Sequence, residues 1–151
     1  MADSGRVGHW KSDTSEREYL NLYAALRQEA WTALCERGWA DPPEECDVAT
    51  RFGATHVFHW AGTGPPIVLL HGAGASSLMW APLIGELVGL SIYAVDGIGE
   101  PGLSVQTTAV PDHDGLVAWL DDVLDGLSVN RAHLCGSVRR VDRDQCRTSL
   151  T

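Results

Sequence analysis

The sequence predicts an α/β protein with a mostly parallel β-sheet and flanking helices. Residues 67–70 form a short apolar run that does not alternate, which is typical of a parallel strand covered on both faces. From this central strand onward the predicted elements alternate as strand, helix, strand, helix and strand. The chain has 151 residues, 44% of them hydrophobic, which is room for one domain with one core.

An N-terminal helix is predicted over residues 15–36. Ser15 and Glu18 have the spacing of a capping box, and Gly38 is positioned to end the helix. Apolar residues recur behind the cap at helical spacing, at Leu22, Tyr23, Leu26, Ala30, Trp31 and Leu34. The polar face is not basic, so the apolar stripe is expected to pack on the core rather than on a membrane. The preceding residues 1–13 are polar and expected to be disordered.

A β-hairpin is predicted next, with strands over residues 47–51 and 55–60 around Gly53 and Ala54. Residues 62–66 contain two glycines and two prolines, which predicts a turn leading into the central strand. The central strand then ends in His71-Gly72-Ala73-Gly74. In open α/β sheets, the carboxyl ends of the strands are where the chemistry is placed.

Two further helices and two further strands follow the central strand. Residues 77–88 predict a helix that stops near Gly89, and residues 91–95 predict a strand that ends on Asp96. A loop rich in Gly and Pro then leads to Asp112, which can cap an amphipathic helix. The apolar face of that helix consists of Leu116, Ala118, Leu120, Val123, Leu124 and Leu127. The last predicted strand covers residues 132–135.

Composition excludes several classes of function. The net charge of -9 argues against a nucleic-acid partner. The N-terminus lacks the apolar region of a secretory signal, and no window approaches the roughly eighteen apolar residues that span a bilayer. We therefore expect a cytoplasmic protein without membrane contact. The cysteines form no C-x-x-C pair and no zinc-finger spacing, so no metal site is expected.

A literal G-x-G-x-x-G pattern occurs at Gly97, Gly99 and Gly102, directly after a predicted strand. A dinucleotide site needs a helix to begin within this pattern, so that its amides face the pyrophosphate. Here Gly102 is followed by a β-branched stretch that ends in Pro111, where no helix can start. We therefore expect no nucleotide and no other cofactor.

The turn His71-Gly72-Ala73-Gly74 carries a different chemistry. A strand that ends in His-Gly, followed by small residues and a helix, presents a free backbone amide at about Ala73. Two amides that converge on one point stabilise the oxyanion of acyl transfer. The alternative is an ordinary tight turn between a strand and a helix. His71 is expected to be a structural residue of the turn rather than a catalytic base.

The order of these motifs resembles the α/β-hydrolase fold family, in particular carboxylesterase-like members with a helical N-terminal extension. The resemblance covers residues 15–137 and rests on THVFHWAGTGPPIVLLHGAGASSLMWAPLIGEL, SIYAVDGIGEPGLS, LVAWLDDVLDGL and RAHLCG. It implies a partial α/β-hydrolase fold over residues 14–137. It also implies hydrolysis of a small-molecule ester by a serine nucleophile, with Ala73 in the oxyanion hole.

The resemblance also implies a Gly-x-Ser-x-Gly nucleophile elbow after the strand RAHLCG. Aligned on Gly136, the nucleophile position is Val138, and the nearest hydroxyl, Ser137, lies one residue too early. Arg139 and Arg140 occupy places that need small residues. No histidine follows Ser137, and Asp142 and Asp144 cannot be carried over as a triad acid or as an aspartate nucleophile. No intact triad is therefore expected.

Residues 138–151 differ in composition from the rest of the chain, with four arginines against two aspartates. Charge sign and motif order change at the same residue, so we interpret this aberrant arginine-rich tail as a change of reading frame that truncates the family sequence. The alternative is a native tail on a non-catalytic interaction module. The strand within residues 131–136 would then be an open edge, available for self-association.

Overall fold

The computed structural model describes residues 13–36, 42–87 and 89–137. The expected disorder of residues 1–12, the helix end at Gly38 and the arginine-rich tail lie outside these residues. The elements follow in chain order as α1 Asp13–Glu36, β1 Glu44–Thr50, β2 Gly53–Trp60, β3 Thr63–Leu70, a 3₁₀ turn Ser77–Trp80, α2 Ala81–Ile84, β4 Leu90–Val95, β5 Val105–Gln106, α3 His113–Gly126 and β6 His133–Gly136. Asp13, which we assigned to the disordered terminus, is the first residue of α1.

The strands form one mixed sheet in the order β1-β2-β4-β3-β6, with the short β5 paired to β2. The predicted parallel part is confirmed, because β3 pairs in parallel with both β4 and β6. The predicted hairpin is also confirmed, and it adds antiparallel pairs between β1 and β2 and between β2 and β4. The result is an α/β sheet whose parallel strands β4, β3 and β6 lie side by side.

The hairpin turn lies at Arg51 and Phe52, not at Gly53 and Ala54 as predicted. Gly53 and Ala54 belong to β2, where they also pair with β5, a strand the sequence did not indicate. The Arg51 backbone amide and guanidinium both donate to Asp122 of α3, at 2.8–2.9 Å. These bonds explain the position of the turn, since they anchor it to a helix.

Residues 63–66, predicted as a turn, are the first half of β3. Thr63 donates its amide proton to the Gly89 carbonyl at 2.9 Å, and it pairs with Leu90 of β4. The register shifts before Ile67, where β6 begins to pair on the other side of β3. Pro65 and Pro66 therefore lie in a stretch that β6 does not reach, where their lack of an amide proton is tolerated.

The helix predicted to run to Gly89 is shorter than expected. The 3₁₀ turn Ser77–Trp80 leads into a single turn of α-helix, Ala81–Ile84, which stops at Gly85. Glycine weakens a helix, and the following amides of Glu86 and Leu87 bond three residues back, at 3.0 Å each, rather than four. Trp80 and Ile84 of this segment are buried against the sheet, whereas Met79 and Leu83, predicted on the same face, are exposed.

Apolar clusters cover both faces of the sheet. Neighbouring residues of one strand, such as Val68 and Leu69, belong to different clusters because successive side chains point to opposite faces. The cluster under α1 and α2 contains Trp31, Phe58, Trp60, Leu69, Trp80, Ala81, Ile84, Ile92 and Ala94. The cluster under α3 contains Val48, Phe52, Val57, Val68, Val95, Ile98, Trp119 and Val123. This arrangement explains the apolar run at residues 67–70.

The parallel strands all end at one edge of the sheet. The turn after β3, the loop after β4 and Ser137 after β6 meet there. Among the residues that the structure describes, no helix is both long enough and apolar enough to cross a bilayer.

Candidate active site

The turn after β3 is held by the imidazole of His71. Nε2 of His71 accepts the amide proton of Gly97 at 2.7 Å, and Nδ1 lies 2.9 Å from the Gly72 carbonyl oxygen. A nitrogen that accepts from a backbone amide carries no proton, so the proton is on Nδ1 and is donated to Gly72. Both nitrogens of the ring are therefore engaged in joining the β3 turn to the β4 loop.

The backbone amides of this turn differ in their partners. The Gly74 amide donates to Oε2 of Glu100 at 2.7 Å, and the Ala75 amide donates to the Gly72 carbonyl at 3.1 Å. The amide of Ala73 has no acceptor among the described residues. Ala73 is exposed and lines a cavity of about 410 Å³ between the strand ends and α3. The Ala73 amide is therefore open to an incoming acceptor.

Ser137 lies beside the same turn. Its amide donates to the Leu70 carbonyl at 3.0 Å, which continues the pairing of β6 with β3 by one residue. A Cβ placed on Gly72 would lie 3.0 Å from the Ser137 carbonyl oxygen. The two segments therefore pack backbone against backbone, and glycine at position 72 permits this approach. Val138, at the predicted nucleophile position, lies outside the described residues, as do Arg139 and Arg140.

Sequence reasoning missed a buried carboxylate behind the turn, that of Asp96. Its side chain is fully buried. Oδ1 accepts from the amide and the hydroxyl of Ser77, at 2.9 and 2.6 Å, and Oδ2 accepts from the amide of Leu103 at 2.9 Å and the hydroxyl of Tyr23 at 3.3 Å. Four donors, none of them a cation, thus satisfy this carboxylate. The sequence signal that could have identified this carboxylate is an Asp directly after an apolar strand.

Helix α1 reaches this network through two tyrosines. The hydroxyl of Tyr19 accepts from the amide of Gly102, while that of Tyr23 donates to Asp96. Burial and the adjacent Asp96 carboxylate both disfavour the phenolate, so the pKa of Tyr23 lies well above its ordinary value. The N-terminal helix is therefore tied to the loop that supports the β3 turn.

The glycines of the G-x-G-x-x-G pattern have structural uses in this loop. Gly102 has φ +133°, and a Cβ there would lie 2.5 Å from the Asp96 carboxylate. Gly99 has φ +74°, which also favours glycine. The loop leads into β5 rather than into a helix. In the described part of the chain, no group of three His, Cys, Asp or Glu side chains could hold a metal ion.

Comparison with known proteins gives consistent results. No protein-family model matches the chain. The chain is 40% identical to the uncharacterized carboxylesterase nap of Bacillus subtilis over 127 residues, which is 83% of this chain and 39% of that protein. It is 37% identical to carboxylesterase YbfK of the same organism over 100 residues, which is 65% of this chain and 34% of that protein.

The fold agrees with these sequence similarities. The crystal structure of the B. subtilis carboxylesterase CesB (YbfK) matches with a TM-score of 0.67 at 33% identity, covering 79% of this chain and 41% of that one. The chain thus spans between a third and two fifths of the length of the curated relatives it matches. The sheet order, the turn after β3 and these similarities together place the chain in the α/β-hydrolase fold family, with carboxylesterases among its relatives.

Proposed function

We propose that residues 14–137 are the N-terminal part of a serine carboxylesterase domain and supply its oxyanion-binding turn. The substrate class would be small-molecule esters, and the reaction would need no cofactor. The observation that carries this proposal is the open amide of Ala73 at the edge where β3, β4 and β6 end, packed beside the residue that precedes the nucleophile position.

In the intact reaction, a serine hydroxyl at the position after Ser137 attacks the ester carbonyl carbon while a base takes its proton. The carbonyl oxygen becomes an oxyanion and accepts a hydrogen bond from the Ala73 amide. Collapse of this intermediate expels the alcohol, and water then releases the acid from the acyl-enzyme. Ala73 contributes an already fixed donor, so no reorganisation of the turn is needed.

We further propose that the polypeptide as it stands does not carry out this reaction. Val138 has no nucleophilic atom, and all six histidines precede Ser137. Removing triad members typically reduces turnover by roughly 10⁴-fold or more. We expect no labelling by a fluorophosphonate and no esterase activity. Labelling of Ser137 would contradict this part of the proposal.

The positive part of the proposal is tested in a chain whose reading frame is restored after codon 137. Such a chain is expected to hydrolyse a p-nitrophenyl ester. Replacing Ala73 with Pro removes the donor and should reduce kcat by about 10²–10³-fold. Ala73→Gly keeps the amide and is the matched control, with activity expected close to that of the parent. Equal activity of the Pro and Gly variants would rule out Ala73 as an oxyanion donor.

A second proposal rests on the exposed edge of the sheet. All four residues of β6 are exposed, and Leu134 is 55% exposed. Strand β6 pairs with β3 on one side and, among the described residues, with no strand on the other. Such an edge invites pairing with a second chain. The polypeptide would then act as a non-catalytic module that associates with itself in the cytoplasm.

A further inference from the structure

Glu100 contacts the turn after β3, and the proposed reaction makes no use of this contact. Its carboxylate accepts the Gly74 amide proton at 2.7 Å, one residue beyond the open amide of Ala73. Glycine at position 74 has φ +76°, so the turn places its amide in a conformation that other residues rarely adopt. A short bond to a charged acceptor is among the stronger hydrogen bonds in proteins.

We propose that Glu100 is a positioning residue that determines which amide of the turn is presented to the substrate. Successive amides in such a turn form a concave site that attracts anions. The Glu100 carboxylate occupies the Gly74 amide, so that an incoming anion meets an open amide at Ala73 and an engaged one at Gly74. This inference rests on the proposed function, because it assigns a role to the same turn.

The loop that carries Glu100 is built to hold its carboxylate in place. The Glu100 amide donates to the Gly97 carbonyl at 3.2 Å, which closes a tight turn. The Gly97 amide in turn donates to Nε2 of His71 at 2.7 Å. A Cβ on Gly97 would lie 3.2 Å from the His71 ring and 3.3 Å from Cγ of Glu100.

Two bonds therefore join the segment 97–100 to the β3 turn, one at each end of the segment. His71 accepts at the start of the turn, and Glu100 accepts at Gly74. Because the first bond uses backbone and ring atoms, substitution of Glu100 removes only the second. The bond to the Gly74 amide can thus be removed while the loop stays attached to the turn through His71.

The test is amide hydrogen exchange of the full chain, resolved to single residues by fragmentation mass spectrometry. In Glu100→Ala the Gly74 amide loses its acceptor and should exchange about tenfold faster or more. In Glu100→Gln the side-chain carbonyl still accepts, so exchange at Gly74 should stay close to the wild-type rate. The matched control is Glu29→Ala on α1, which should change neither Gly74 nor Ala73.

Three results would overturn the proposal. One is a Gly74 exchange rate that is the same in the wild type and in Glu100→Ala. Another is a Glu100→Gln variant that behaves like Glu100→Ala. The third is an equal acceleration of the amides of β2, since that would make the contact merely structural. The measurement needs no ester turnover, so an inactive frame-restored enzyme would count against the proposed function alone.

Discussion

At the scale of single residues, Asp96 connects three parts of the molecule behind the candidate site. Its two oxygens accept from α1, from the 3₁₀ turn Ser77–Trp80 and from the loop at Leu103. A buried carboxylate without a cation is stable only if its acceptors are fully used. The Asp96 carboxylate therefore holds α1, the 3₁₀ turn and the loop at Leu103 together behind the turn after β3.

Asp96→Asn is expected to destabilise the protein by about 2–4 kcal/mol, although the two side chains have the same shape. Each carboxylate oxygen accepts a backbone amide, from Ser77 or from Leu103. Either orientation of the asparagine amide would set its NH₂ against one of these donors. Urea denaturation measures the change in the free energy of unfolding. The exposed Asp121→Asn is the control and should stay within about 0.5 kcal/mol of wild type.

Tyr23 is expected to make stability pH-dependent in the alkaline range. Its folded pKa lies above the ordinary value of 10.0, because of burial and then the charge of Asp96. Above about pH 10 the unfolded chain loses this proton while the folded chain keeps it, so stability falls as pH rises. The wild type should lose about 1.4 kcal/mol per pH unit more than Tyr23→Phe there. If the free energies of unfolding of the two proteins change in parallel with pH, Tyr23 is not the group responsible.

Residue roles could be predicted from sequence only where the partners are close in the chain. The cap of α3 is an example, since Asp112 accepts from Gly115 at 2.9 Å, as its position before an amphipathic stretch predicts. Asp96 and Tyr23 are 73 positions apart. No local sequence pattern indicates a contact between residues so far apart, and the same is true of Glu100 and Gly74. The role of the open Ala73 amide as an oxyanion donor stays a prediction.

At the scale of elements, the β3 turn and the end of β6 form a tightly packed junction. Gly72→Ala would bring a methyl group to 3.0 Å from the Ser137 carbonyl oxygen. We expect a loss of about 1 kcal/mol in the free energy of unfolding and faster exchange of the Ser137 amide. Gly136→Ala is the matched control, because a Cβ there meets nothing within 4 Å. Equal free energies of unfolding for the two variants would contradict close packing at this junction.

The exposed strand β6 is expected to drive self-association. Its apolar residue Leu134 lies on an edge strand that contains no lysine or proline. These residues commonly prevent pairing of an edge strand with another chain. Leu134→Lys should lower the mean molar mass in multi-angle light scattering under reducing conditions. The control is Leu116→Lys on α3, where the leucine is 46% exposed but not at an edge. A monodisperse wild-type monomer would exclude this role for β6.

Helices and strands were predicted correctly where apolar periodicity was strong. They were missed where pairing between distant segments determines the structure. Helices α1 and α3 were predicted because their apolar stripes are long. The first half of β3 was missed because Pro65 and Pro66 read as a turn, although β4 pairs with this segment at Thr63. Strand β5 has two residues, too few for any periodic pattern.

At the scale of the whole molecule, the α/β class followed from the alternation of strands and helices, and the family from the order of several motifs. Neither depended on the boundaries that were wrong. The catalytic residues are a different matter, because position 138 and everything after it lie outside the described residues. The molecule therefore has an α/β-hydrolase sheet with an open amide in the turn after β3, and oxyanion binding by this amide is our proposal.

The measurement that tests this most directly is a nucleotide read of the coding region from codon 130 to a few hundred bases beyond codon 151. We predict that another reading frame encodes Gly-x-Ser-x-Gly from the position of Gly136, with an Asp and then a His downstream. The esterase activity would then belong to the restored protein. If no frame encodes these residues, the arginine-rich tail is native, the proposed catalysis is excluded, and the edge strand β6 becomes the place to look for a partner.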